Sequence, residues 1–236
     1  MTERAPIQDV NIELGDDVSR MLYEASKLTY NNRPGFLVEY HESFSGLRAI
    51  PGSVLKDVDN LCFNMGFDGV GTKVEISERM DDHSVVAHDL FAMVCDDTVV
   101  RGAEPIAIGS ILDVRQLEDN KHTRQAVRQL ATGYVDAAKA AGVVVVNGEV
   151  AELGDRIGGY GEFNYNWGAA IIWIAHRQHL LTGHQMEPGD SIIGLTEYGF
   201  RSNGITDVRI AMLEKYGPEW QNEVVKELGS LTIGKY

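Results

Sequence analysis

The 236-residue chain has two cysteines, Cys62 and Cys95, six prolines and no long apolar run. Two cysteines build neither a disulfide framework nor a zinc set, and a reducing cytoplasm is the simplest setting. No apolar stretch approaches the ~18 residues that cross a membrane. The N-terminus, MTERAPIQDVNIELGDD, lacks a basic start followed by an apolar core, so no signal peptide is expected. Positive charge is scarce: 21 Lys and Arg against 35 Asp and Glu give a formal net charge of −14. That balance repels polyanions and argues against nucleic acid and anionic membrane surfaces, though not against a small phosphate-bearing ligand held by a local cation. The chain lacks G-x-x-x-x-G-K-[ST], so a P-loop is excluded. No Ser-His-Asp or Cys-His set can be assembled. Internal repeats, heptads and low-complexity tracts are also missing.

What is present is an ordinary globular composition, 44% hydrophobic and 24% charged, on a chain long enough for a sizeable core. Residues 1–20 read as loosely packed and 21–30 as a short helix capped by Asp17 or Ser19. Leu61–Phe67 reads as a strand. It delivers Asp68-Gly69-Val70-Gly71-Thr72-Lys73, where an acid, two permissive backbone positions, a hydroxyl and a cation fall within six residues. That cluster suits a phosphate and its metal ion, and equally suits a tight turn. Residues 82–101 read as a helix, capped by Asp82 or Ser84 and ended by Gly102. It carries Asp89, Asp96 and Asp97 among apolar neighbours, where carboxylates are solvated, paired or bound to metal. Further strands are expected at 106–113, 143–146 and 164–175, with a helix at 122–141 stopped by Gly142. Glu149 and Glu152 follow the third strand, as a functional pair at a strand exit or as a solvated loop. Residues 153–163 are glycine-rich and read as mobile. A boundary falls near 179–190, followed by a strand at 191–196, a helix at 205–216 and one more amphipathic piece at 217–236. Arg201-Ser202-Asn203-Gly204 before that helix is an anion site or plain N-capping.

Taken in order, these blocks resemble the aminoimidazole ribonucleotide synthetase family (phosphoribosylformylglycinamidine cyclo-ligase) of purine biosynthesis. Asp68-Gly69-Val70-Gly71-Thr72-Lys73 matches the family's DGVGTK. His88–Met93 resembles IDLVAM, and Asp96-Asp97 with Val99–Pro105 resembles NDLVVQGAEP. Gly148–Glu152 resembles GETAE, and Ser202-Asn203-Gly204 with Val208-Arg209 resembles SNGYSLVR. The departures are a glycine-poor Glu39–Gly46, Asp96 for the family's Asn, Asn147 for Gly, Asn166 for an acid, and Arg201 where His is frequent.

The resemblance implies an α+β fold. A mixed, largely antiparallel sheet in residues 1–185 would bind ATP and form a half-barrel completed by dimerisation. Residues 186–236 would begin a second α/β domain, in a fragment or a shortened relative. It implies ATP and Mg²⁺ as cofactors, formylglycinamidine ribonucleotide as substrate, and a cytoplasmic homodimer. Asp68, Gly69, Gly71, Thr72, Lys73 and Asp89 would bind ATP. Asp68 and Asp97 would hold the metal, Lys73, Asp97 and Glu149 would be catalytic, and Ser202, Asn203 and Gly204 would bind substrate. The alternatives are another member of the same ATP-binding superfamily with a different acceptor, or a non-catalytic module that binds nucleotide or dimerises.

Overall fold

A computed structural model describes residues 11–41, 46–196 and 199–235. Its centre is a four-stranded mixed sheet in the order β3–β6–β4–β5, made of β3 (Leu61–Gly69), β4 (Glu104–Val114), β5 (Val144–Glu152) and β6 (Tyr165–His176). β6 runs antiparallel to both β3 and β4, whereas β4 and β5 are parallel and joined by helix α4 (Lys121–Ala141). Such a crossover is what a parallel pair requires. A separate two-stranded ribbon joins β1 (Val38–Glu39) to β2 (Arg48–Ala49).

Helices cover one face only. α1 (Ile12–Leu28), α3 (Val86–Val99) and α4 pack there, with Leu14, Val18, Leu90, Val94, Leu130 and Tyr134 buried against Ile108, Leu112, Trp167 and Ile171 of the strands. The alternation along β6 follows from the two-residue period of a strand: Tyr165, Trp167, Ala169 and Ile171 face the helices. α4 is framed by its sequence, Asn120 accepting a hydrogen bond from the Thr123 N–H and Gly142 taking the left-handed conformation that ends it. Gly133 of α4 lets α3 and α4 approach closely, since a Cβ there would lie 2.3 Å from the Ser84 carbonyl oxygen.

The other face is open along β3. Phe63, Met65 and Phe67 are 48%, 50% and 72% exposed, opposite Ile174, Ile172 and Ala170 of β6. A smaller cluster of Ile106, Ala107 and Val144 with Phe36, Ile50, Ile172 and Ile174 covers the sheet where β4 begins.

Several sequence expectations need correction. α1 starts at Ile12, capped by Asn11, because Leu14, Val18 and Ala25 form one buried stripe; residues 11–20 are not loose. A further helix, α2 (Val74–Met80), follows the glycine motif and was not anticipated. Asp82 caps no helix, since its carboxylate accepts instead from the Ser84 N–H and hydroxyl. The 153–163 segment is pinned by Leu153 N–H to Val114 O at 2.8 Å and Gly154 N–H to Arg115 O at 2.9 Å.

Residues 191–196 form no strand. Ile192, Ile193 and Leu195 are 100%, 85% and 91% exposed, with no neighbouring strand among the described residues to pair with. α5 (Ile205–Tyr216) forms as expected, but 217–235 holds only short 3-10 turns and one isolated bridge, Val224 to Thr232. This C-terminal part is tied to α2. Glu75 pairs with Arg209, and Arg79 donates to the Pro218 carbonyl at 2.7 Å while its guanidinium lies 5.5 Å from the Trp220 ring centroid.

Candidate functional site

β3 carries Asp68 and Gly69 as its last two residues, paired with Ala169 and Gly168. The chain passes through buried Val70 into a 3-10 turn, Gly71–Lys73, and then α2. Two glycines have physical reasons. A Cβ on Gly69 would lie 3.1 Å from the Trp167 carbonyl oxygen, and Gly71 has φ +66°, which other residues adopt with strain.

The turn aims Lys73 at the first turn of α3. Its ammonium donates to Asp89 Oδ1 at 2.5 Å and to the Phe200 carbonyl at 2.9 Å. Both side chains are largely buried, at 23% and 18% exposure, so solvent screens this pair less than a surface pair. The Thr72 hydroxyl lies 3.0 Å from the Thr206 hydroxyl of α5. The loop Ser202-Asn203-Gly204 is thereby brought beside the glycine motif. Gly204, with φ 82°, caps α5, and neither Ser202 nor Asn203 makes a side-chain cap bond.

Glu149 opens onto a depression on the helix-free side of the sheet, about 720 Å³ in volume, together with Asp113 and Asn166, whereas Asp68, paired with Ala169, projects to the helix face. Small residues make room for the depression: Gly109, Gly148, Gly168 and Ala170. Glu149 does not stand at a strand exit. β5 continues to Glu152, with Glu149 opposite Ile111 of β4, so the carboxylate projects from the middle of a strand. Glu152 is spent on structure, accepting from the Leu117 N–H at 2.8 Å. Asp97 is placed differently. It lies exposed on α3 and is not part of the depression, eight residues beyond Asp89 and so about 12 Å further along the helix axis. Its neighbour Asp96 faces Arg201 at 3.5 Å.

Among the described residues no three His, Cys, Asp or Glu side chains converge to hold a metal ion. That pattern does not fit a protein-only cage. It is compatible with Mg²⁺, which takes one or two carboxylates and completes its shell with phosphate oxygens and water.

Sequence reasoning missed two groups near the motif. Glu78 of α2 is 6% exposed and accepts from the Tyr160 N–H at 2.9 Å and the Tyr165 N–H at 3.3 Å. Burial raises its carboxyl from 4.5 to about 7, those N–H groups opposing the rise. Buried His83 shares a hydrogen bond of 3.0 Å with the Tyr165 hydroxyl, and burial lowers its pKa. Neither residue sits in a recognisable motif, so only the fold reveals them. Cys95 is buried and its thiol is pushed up to about 12, which leaves it inert.

No helix among the described residues is long and apolar enough to cross a membrane. Comparison with known proteins agrees with the blocks around β3, α3 and β5. Named phosphoribosylformylglycinamidine cyclo-ligases align at 31% identity over 209 residues in Pyrococcus furiosus, covering 86% of this chain and 56% of the relative. For Thermococcus gammatolerans the values are 32% over 191 residues, 77% and 54%. For Bifidobacterium animalis subsp. lactis they are 32% over 213 residues, 88% and 56%. The chain thus spans about half the length of the curated relatives it matches. A solved thiamine-monophosphate kinase from Stenotrophomonas maltophilia superposes with a TM-score of only 0.46, at 13% identity over 68% of this chain and 43% of that one. The family described as AIR synthase related protein, N-terminal domain, matches residues 52–169, half of the chain, from just before β3 through the first strand pairs of β6. By that match, the chain belongs to the AIR synthase related family through its N-terminal domain.

Proposed function

We propose that this chain is the ATP-binding part of a phosphoribosylformylglycinamidine cyclo-ligase of purine biosynthesis, closing formylglycinamidine ribonucleotide to aminoimidazole ribonucleotide with release of ADP and phosphate. The observation that carries the proposal is the intact Asp68–Lys73 motif at the end of β3, with Lys73 held between Asp89 and the Phe200 carbonyl, in a chain whose relatives bear that name. Mg·ATP, when bound, supplies the phosphoryl group that activates the substrate amide oxygen. The residues' own work is electrostatic and positional. Lys73 offers a fixed cation, already oriented by Asp89, for phosphate oxygens. Gly69, Gly71 and Thr72 shape the turn, and Gly71 supplies a conformation that keeps bulk away from it. Asp68 and Asp97 are the metal carboxylates of this reading, and Lys73, Asp97 and Glu149 its catalytic set. Glu149 lines the open depression, whereas Asp68 projects to the helix face of β3 and Asp97 lies exposed on α3. Ser202, Asn203 and Gly204, beside Thr72, are the substrate contacts.

In the same reading the protein is a cytoplasmic homodimer, and residues 186–236 begin a second domain. Exposed Phe63, Met65, Phe67 and Ile111 on the open sheet face support the dimer. Exposed Ile192, Ile193 and Leu195 support the domain start, as a strand sequence without a partner among the described residues. Calorimetry with Mg·ATP, followed by phosphate release in the presence of formylglycinamidine ribonucleotide, tests the proposal. ATP binding that weakens at least tenfold in Asp68→Asn is expected. Equal binding by the wild type and the variant, or none by either, would overturn it.

A further inference from the structure

Helix α5 and the loop leading into it lie across the glycine motif with little apolar packing to hold them there. Of the residues of α5 only Ile205 is buried, and Ile210 and Leu213 are each 48% exposed. The ties are polar. The Phe200 carbonyl accepts from Lys73 at 2.9 Å, Thr206 and Thr72 share a hydrogen bond of 3.0 Å, and Arg209 pairs with Glu75 of α2. Arg201 and Asp96 also face each other at 3.5 Å, but both are exposed, and such a pair contributes little. Glu75 is the centre of the arrangement. Its side chain is 11% exposed, one carboxylate oxygen accepts from Arg79 Nε at 2.8 Å, and the other meets Arg209.

The two ends of this segment differ. On the N-terminal side, residues 191–196 are exposed throughout and join no strand among the described residues. On the C-terminal side, Gly217 has φ +84°, and the chain beyond it is anchored. Trp220 is buried there, and Arg79 donates to the Pro218 carbonyl at 2.7 Å and to Gln221 Oε1 at 3.2 Å. An element with few buried apolar contacts, between an exposed connector and a glycine, detaches before the core does. α5 can therefore swing about Gly217 while Trp220 stays docked.

What the segment covers decides its role. An ammonium has three donors, and Asp89 and the Phe200 carbonyl take two of those on Lys73. A neutral carbonyl is a weaker acceptor than a phosphate oxygen, which carries charge. We propose, resting on the ATP reading above, that residues 199–216 form a displaceable strap. In the free chain the Glu75–Arg209 clasp keeps it closed over Lys73, and a polyphosphate lifts it by replacing the Phe200 carbonyl. Glu75 is then a positioning residue, acting on Lys73 through Arg209 and the strap. Ser202, Asn203 and Gly204 ride on the strap, so nucleotide enters before the proposed substrate contacts close.

Arg209→Gln tests the clasp in the full chain, because Glu75 keeps Arg79 as its partner. The variant is expected to bind Mg·ATP several-fold more tightly by calorimetry. Trypsin should cleave it after Arg201 several-fold faster than the wild type before any ligand is added, and saturating Mg·ATP should speed the same cleavage in the wild type. Thr72→Cys combined with Thr206→Cys locks the strap, and serves if Arg209→Gln fails to give the wild-type melting transition. Its oxidised form should bind Mg·ATP tenfold or more weakly than the same protein after reduction. Unchanged or weaker binding in Arg209→Gln, protection of Arg201 by Mg·ATP, or equal affinity of the oxidised and reduced lock would overturn the strap. Mg·ATP binding that responds to Asp68→Asn but not to Arg209→Gln removes the strap alone, whereas no Mg·ATP binding by any form removes the ATP reading with it.

Discussion

Replacing Glu78 with Gln should remove a pH dependence of stability that the fold builds in. The carboxyl is buried at the end of α2, and burial raises it from 4.5 to about 7 although it accepts from two backbone N–H groups and from Asn164 Nδ2. A group whose folded pKa lies above its unfolded value stabilises fully below the unfolded pKa and loses that contribution as pH rises through the folded one. A gap of ~2.5 units at about 1.4 kcal/mol per unit gives about 3 kcal/mol, lost between about pH 4.5 and 7. His83 works in the opposite sense. Its pKa is depressed by burial, against the pull of Asp81 and Asp82, so its contribution is present above the unfolded value of 6.5 and lost as pH falls. The raw stability curve therefore mixes two slopes. Glu78→Gln keeps the side-chain length and an oxygen to accept from Tyr160, and abolishes one titration. Urea unfolding of both proteins from pH 4.5 to 8 isolates the term. The wild type minus variant difference should fall by about 3 kcal/mol across that range. A difference that stays flat refutes the reasoning.

Gly133→Ala should destabilise by about 1–3 kcal/mol in the same assay, because the added methyl would meet the Ser84 carbonyl oxygen at 2.3 Å and force α3 from α4. Phe67→Asp on the open sheet face should shift the sedimentation coefficient from dimer to monomer at micromolar concentration while leaving the melting temperature of the monomer nearly unchanged, since this side chain is 72% exposed within one chain. Lys73→Met should weaken Mg·ATP binding at least tenfold by calorimetry through loss of the cation. It should also cost some stability, because Asp89 and the Phe200 carbonyl lose their donor.

The sheet was legible because its strands obey simple rules. Val143–Val146 is a β-branched run that only burial on both faces explains, and the observed strand begins within it. α4 and α5 carried clear ends, and both formed within a residue of the expected bounds. The misreadings share a cause: a segment's state was decided by something distant in sequence. Glu149 looked like a strand exit because Gly148 weakens strand propensity, yet pairing with Ser110–Val114 holds β5 straight through it. Residues 153–163 looked mobile by composition, yet Glu78 and the ring of Tyr160 under Arg79, 3.6 Å from the guanidinium carbon, fix that loop. Residues 191–196 have strand composition but no strand to join among the described residues.

The site follows the same division. The DGVGTK block showed which residues sit at the end of β3, because its glycines answer local demands: a carbonyl 3.1 Å from a would-be Cβ at Gly69, and a left-handed φ at Gly71. No local demand told where Lys73 would point. Its partners come from residue 89 on α3 and residue 200 beyond the sheet, and the first of them is an acid the sequence had grouped with the phosphate ligands. An aspartate 2.5 Å from that ammonium competes with a phosphate for the same donor and at the same time orients it. Within the proposed ATP site, this pairing favours Asp89 as the residue that positions Lys73 over a direct contact to ATP. In Asp89→Asn the lysine should keep its charge and lose its fixed direction, so Mg·ATP binding should weaken less than in Lys73→Met. An Asp89→Asn variant as defective as Lys73→Met would instead make the aspartate a ligand in its own right.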